Sequence, residues 1–180
     1  MRKAQISIEY LIIIGVVVFL IVLPSAIFLS TFAQTTIYGA VTSEQADQVG
    51  RGLTQAAQQV FYLGLFAQKK VSLPMPNNVE EIVMFTITVN SNDFHYLVIR
   101  IDDGVIPQTF YYQSRAPLIA DPNLYASSTL PSYIAECAGV ACNNVFVFRQ
   151  PVTFPGLKQF SLETVRRDGR IAVLVTPEVD

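Results

Sequence analysis

His95 is the only imidazole in this 180-residue chain, and it lies between Phe94 and Tyr96. Imidazole acting as a base on a nucleophile needs a Ser or Cys held beside it, and no spacing here supplies one. A packed or surface histidine is therefore the expectation. Carboxylates stand side by side at Glu80-Glu81 and at Asp102-Asp103. Such pairs suit acid–base work or calcium, but the D-x-D-x-D-G calcium loop is absent. Glu80-Glu81 reads as a solvated strand entrance and Asp102-Asp103 as turn chemistry. Phe110, Tyr111 and Tyr112, with Tyr96, offer a stacking surface for a glycan or an adhesive contact; strand aromatics more often form core and cross-strand pairs. One His and two Cys are too few soft ligands for a four-ligand zinc site. No catalytic residue, cofactor site or metal site is expected.

Composition narrows the classes further. The net charge is −2, and basic residues occur only as the pairs Arg2-Lys3, Lys69-Lys70 and Arg166-Arg167 or singly. That is no electrostatic footprint for nucleic acid. Neither glycine-rich phosphate signature occurs, and no Asn-x-Ser/Thr sequon is present. The chain is 51% hydrophobic and only 14% charged, where soluble domains carry about 25% charged residues. The excess is concentrated: 34 residues between Glu9 and Glu44 carry no charge, and Leu11 to Ala33 holds 18 apolar residues in 23.

As a helix, Leu11 to Ala33 rises about 34 Å, enough to cross a hydrocarbon core of about 30 Å. Arg2 and Lys3 precede it and the first charges beyond it are acidic. The positive-inside rule then places the N-terminus in the cytoplasm and the remainder outside. Three processing outcomes fit the segment. One is a secretory signal cut after Ala33; one is an uncleaved anchor. The third gives Glu9 a purpose. A carboxylate in a bilayer costs about 2.5–3.5 kcal/mol on insertion scales and persists where a partner needs it. Cleavage between Ala4 and Gln5 would create an α-ammonium four residues from Glu9, on the same helix face. Glu9 would then pair with its own N-terminus or with that of a neighbouring subunit.

The residues around Glu9 carry a resemblance. Lys3-Ala4-Gln5-Ile6-Ser7-Ile8-Glu9-Tyr10, running directly into Leu11-Ile-Ile-Ile, resembles the class III signal peptide of archaeal type IV pilin-like proteins. The pattern is a short basic leader, then Gln5-x-Ser7-x-Glu9-Tyr10, then a retained hydrophobic helix. The resemblance covers about thirty residues. It implies cleavage at Ala4–Gln5 by a prepilin peptidase, and a helix that serves first as membrane anchor and then as filament core. It also implies other pilin subunits as partners, together with a membrane platform and an assembly ATPase. Loss of Arg2 and Lys3 would take the formal charge from −2 to −4. The rival reading is a membrane-anchored or secreted binding module that does not polymerise.

These residues need elements to position them. Residues 1–4 read as the leader and 5–33 as the membrane and filament-core helix. Residues 34–70 read as an amphipathic continuation of that helix, and 71–180 as an extracytoplasmic β-rich head. Ala46, Val49, Leu53, Ala57, Val60 and Gly64 recur at helical spacing, with Lys69 and Lys70 suited to a helix C-terminus. Pro24 and the Gly50–Gly52 region are the expected bends. Pro74 and Pro76 are expected to keep the helix from continuing. Beyond them, 82–89, 94–101 and 145–148 read as strands, with hairpins at Asp103-Gly104 and Asp168-Gly169. The stretch 114–144 reads as a long excursion. It contains Cys137 and Cys142, for which a disulfide closing a small loop is favoured in an extracytoplasmic setting; two buried free thiols are the alternative. The expected fold is α+β: a long pilin-like helix followed by an antiparallel sheet of five or six strands.

Overall fold

A segment that is apolar on every side and must leave no backbone group unpaired in an apolar medium has to be helical. In the computed structural model the N-terminal run is helical throughout: α1 spans Arg2–Val17, a π-helical turn spans Val18–Val22, and α2 spans Leu23–Leu63. Residues 2–102, 107–121, 131–134, 142–149 and 152–178 are described, with the side chains of 2–7 and 33–40 excepted. The π turn lies immediately before Pro24. Proline has no N–H for the Leu20 carbonyl, and its ring crowds that carbonyl. In the turn the Leu23 N–H bonds instead to the Val18 oxygen, five residues back. Pro24 is thus accommodated by a widened turn rather than by a break.

The chain divides into two units, Met1–Val41 and Thr42–Asp180. In the second, the end of α2 meets, among the described residues, eight strands arranged in two four-stranded sheets. The strands are β1 Gln68–Met75, β2 Val79–Val89, β3 Asn92–Ile101, β4 Gln108–Ser114, β5 Leu118–Ala120, β6 Cys142–Phe148, β7 Gly156–Arg167 and β8 Arg170–Glu178. One sheet has the order β1-β7-β8-β5 and the other β4-β3-β2-β6. The expected single antiparallel sheet is therefore two, and β5 pairs with β8 in parallel. The class stands as α+β.

Side-chain alternation explains the layering. Along α2, Ala46, Val49, Leu53, Ala56, Ala57 and Val60 form one buried stripe. That stripe shares a core with alternate residues of both sheets, such as Ile82, Met84, Leu97, Phe148, Phe160 and Val175. The opposite face of β2, β3 and β6 is also buried. Val83, Phe85, Val98 and Val147 there pack with Ile134 and Tyr133 of the excursion. The excursion thus supplies a second core, and it contains β5, so it is more than a surface loop. Phe85 and Tyr96 stack on this face with ring centres 5.5 Å apart.

The helix ends earlier than its spacing suggests. Gly64, at φ +94°, takes the left-handed conformation that stops a helix. Lys69 and Lys70 are in β1, where Gln68 to Met75 pairs with Glu163 to Gly156. Lys69 bonds Gln59, and Lys70 pairs with Glu178. Pro74 lies inside β1 rather than ending the helix, and β1 is an edge strand, where a missing N–H is tolerated. The Asp168-Gly169 hairpin is as expected, a two-residue turn with φ +52° and +79° joining β7 and β8. Asn90-Ser91, at φ +50° and +66°, makes a similar turn between β2 and β3. Asp103-Gly104 lies outside the described residues, although β3 and β4 pair antiparallel up to it.

Gly50 and Gly52 do not interrupt the helix; they admit neighbours. A Cβ at Gly50 would come within 2.1 Å of the Tyr112 ring, and one at Gly52 within 2.7 Å of Leu73 Cδ2. The absence of side chains lets β4 and β1 lie against the helix backbone. Gly50→Ala should gain about 1 kcal/mol in helix propensity yet lose about 1–3 kcal/mol to overpacking. The expected outcome is a lower melting temperature for the full chain in detergent, partly restored by adding Tyr112→Leu. An unchanged or raised melting temperature would refute the packing role.

Candidate functional site

Three places concentrate chemistry. The first is the N-terminal segment. Ile8–Phe32 is a helix long and apolar enough to cross a membrane, with none of its residues buried. Its hydroxyls turn back on the backbone: Ser25 Oγ donates to the Ile21 oxygen at 2.6 Å and Thr31 Oγ1 to the Ile27 oxygen at 2.9 Å. Side chains satisfied in this way carry little polar demand into an apolar medium. Glu9 and Tyr10 are exposed at the start of this helix. Ala4, Gln5 and Ser7 lie within α1 by backbone, and their side chains lie outside what is described.

The second place is the carboxylate pair at the entrance of β2. Glu80 is half-exposed and lies 2.8 Å from Arg100 Nε, close but not aligned as a hydrogen bond. Glu81, expected to be solvated, is buried at 3% exposure. Its Oε1 accepts the Tyr133 hydroxyl, and its Oε2 accepts Arg149 Nε at 3.2 Å. Arg100 lies over the Tyr133 ring, 4.2 Å from its centre. Burial first, and then the Glu81 carboxylate, push the Tyr133 hydroxyl pKa upward. The cluster is a structural latch holding the excursion on the second core. Glu81's partners lie 52 and 68 residues away, so no local pattern announced them.

The third place is a cleft of about 380 Å³ where the two sheets approach each other. His95 lines it, with Nδ1 2.9 Å from the Thr86 hydroxyl. Asp93 accepts from Thr88 at 2.7 Å and pairs with Arg170 at 2.9 Å, tying β3 to β8. The Thr88 hydrogen bond leads in holding the Asp93 carboxyl below its usual range. Burial lowers the His95 pKa, against the opposing pull of Asp93. Asn144, Arg167 and Asp168 complete the polar lining. The sequence marked Asp168 only as a turn residue, because the convergence of two sheets on it is not a local property.

The remaining candidates fall to structural roles. Tyr112 lies against the helix at Gly50, Phe110 packs on the first core and Tyr96 stacks in the second, the core pairing favoured for strand aromatics over a binding surface. Cys142 is disulfide-bonded, and Cys137 lies outside the described residues. Asp102 bonds through its backbone N–H to the Asn78 oxygen at 3.0 Å, and Asp103 lies outside the described residues. Among the described residues no three His, Cys, Asp or Glu side chains are grouped to hold a metal. No protein-family model, curated protein or solved structure matches this chain.

Two outcomes follow. Tyr133→Phe leaves the buried Glu81 short of a donor, and hydrogen bonds to charged groups contribute about 1.5–3 kcal/mol. Denaturant unfolding should show a loss of that order, and a change below about 0.5 kcal/mol would remove the latch. For His95 the sign follows from its lowered pKa. The unfolded imidazole takes its proton near pH 6.5, while the folded one resists, so stability present above that pH is lost as pH falls. His95→Gln should therefore show a smaller drop in melting temperature between pH 7 and 5 than the parent chain. Equal drops would mean that the imidazole is not linked to folding in that range.

Proposed function

We propose that this chain is a structural subunit, not an enzyme, of an archaeal type IV pilus-like surface filament: a pilin, minor pilin or pseudopilin. The observation that supports the reading most is the juxtaposition at the N-terminus. A single carboxylate, Glu9, stands at the threshold of a helix that is apolar on all sides and wholly uncovered from Ile8 to Phe32. A helix apolar all round requires lipid or protein around it. Gln5, Ser7 and Tyr10 frame Glu9 in the pattern of a class III signal peptide.

On this reading a prepilin peptidase cuts between Ala4 and Gln5, and the new Gln5 ammonium becomes the charge partner of Glu9. The helix resides first in the cell membrane, with the rest of the chain outside. It then packs against other pilin subunits, delivered by a membrane platform and an assembly ATPase. The alternative, an anchored binding module that does not polymerise, shares the helix and lacks the cut.

N-terminal sequencing of the protein recovered from its native cells separates these readings. Gln5 as the first residue is expected. Gln34 would make the segment a secretory signal, and an intact Met1 would leave a plain anchor; either result overturns the filament reading. Glu9→Ala is expected to be processed normally and to abolish filaments seen by electron microscopy in cells lacking other pilins. Normal filaments would remove Glu9 from assembly.

A further inference from the structure

The cleft between the sheets has walls that are already tied together and a lining that is not. The Asp93–Arg170 ion pair ties the two sheets together, and the Thr86–His95 contact links β2 to β3 on one side. By contrast, Arg167, Asp168 and Asn144 make no ion pair or side-chain hydrogen bond among the described residues. Arg167 lies 6.0 Å above the Phe146 ring, a weak cation–π contact that orients the guanidinium and leaves its five donors available. Asp168 and Asn144 both have positive φ, at +52° each, so their positions are set by tight backbone geometry rather than by flexible loops. Pro117, Ile119 and Ala172 give the cleft an apolar strip.

That lining has a definite chemical preference. Among the described lining residues Arg167 and Arg170 balance Asp168 and Asp93, so no net field selects a strongly charged ligand; a polyanion would meet both carboxylates. A flat aromatic ligand would find no Phe, Tyr or Trp ring among the described lining residues. What the site offers is a strong donor, a strong acceptor and an amide that does both, arranged around a small apolar surface. Hydroxyl groups that each donate and accept, carried on a ring with an apolar C–H face, complement all three features. The volume falls within the range of about 300–1,000 Å³ for small-molecule sites. We propose that this cleft binds a neutral sugar residue, with Arg167, Asp168 and Asn144 engaging its hydroxyls and Pro117, Ile119 and Ala172 its C–H face. The inference is independent of how the N-terminal helix is used.

The test uses the full chain in lipid nanodiscs and ligand-observed saturation-transfer NMR with maltose, cellobiose, lactose and mannobiose as probes. Glucuronate and glycine serve as charged comparisons. The variant is Arg167→Gln with Asp168→Asn; both positions are exposed, and Asn retains the tolerance for positive φ that the turn needs. The expected result is transfer to at least one disaccharide at about millimolar affinity, weakened at least about tenfold in the double variant with an unchanged melting temperature. The proposal is overturned if none of the four disaccharides receives transfer. It is equally overturned if the double variant binds as well as the parent, or if glucuronate or glycine binds in preference.

Discussion

An α-helix can have a polar side or do without one, and along α2 the sequence changes from the second condition to the first. From Ile8 to Phe32 every side chain is exposed, nearly all are apolar, and no face is reserved for water. From Thr42 to Val60 one stripe is apolar and buried, and Ala46, Val49, Leu53, Ala57 and Val60 on it are completely or almost completely buried. The first part requires an environment the chain does not contain; the second brings its own in the form of two sheets. Everything distinctive about the second unit follows from covering that stripe closely. The buried residues on it are small, two glycines open the backbone to Tyr112 and Leu73, and both sheets converge on Leu53 with a void of only about 10 Å³ between them. That space is too small for more than a single water.

Covering one stripe with two sheets creates a second problem, which the excursion solves. In the β1-β7-β8-β5 sheet, β1, β7 and β8 mix buried and more open residues and can meet water on one side, while the short β5 is buried. Along β2 nearly every residue is buried, and Ile82-Val83-Met84-Phe85 has no polar face to offer. A second layer is therefore obligatory, and Tyr133 and Ile134 belong to it. Glu81 is buried in consequence, and a buried carboxylate must be satisfied where it stands. The Tyr133 hydroxyl and Arg149 do so, which turns a solvation cost into a specification of where the excursion lies.

What could be read beforehand divides along the same physical line. Asp168-Gly169 announced its hairpin because the chemistry of a two-residue turn resides in the turn itself. Asn90-Ser91 makes an equivalent turn without a glycine, and so gave a weaker signal. The helical spacing of Ala46 to Val60 was legible, but its end was not: Gly64 and the pairing of β1 with β7 claimed Lys69 and Lys70. Pro74 looked like a terminator only because an edge strand is a tertiary fact. The parallel pairing of the three-residue β5, the burial of Glu81 and the meeting of Asp93 with Arg170 all join residues far apart in the chain. No window along the sequence contains them. The Gln5-to-Tyr10 pattern is legible in full, because it is a contiguous run of residues that needs no tertiary partner to be seen.

The role proposed for Glu9 rests on a comparison of magnitudes. Burying a large aliphatic side chain from water is worth about 1.5–3 kcal/mol, so lipid is strongly favoured over water for a helix as apolar as this one. Lipid tails are as apolar as leucine, however, and moving the same helix from bilayer to a protein core gains almost nothing from that term. A carboxylate at the edge of the bilayer behaves differently. Its cost there, up to about 2.5–3.5 kcal/mol at the helix centre, is removed when an ammonium faces it. The apolar residues therefore favour both locations nearly equally, and the single charged group distinguishes them. On this argument the helix needs its many aliphatic side chains for retention and its one carboxylate for direction. Under the proposed function, a leader that withholds the ammonium until it is cut would keep the subunit in the membrane until assembly is due.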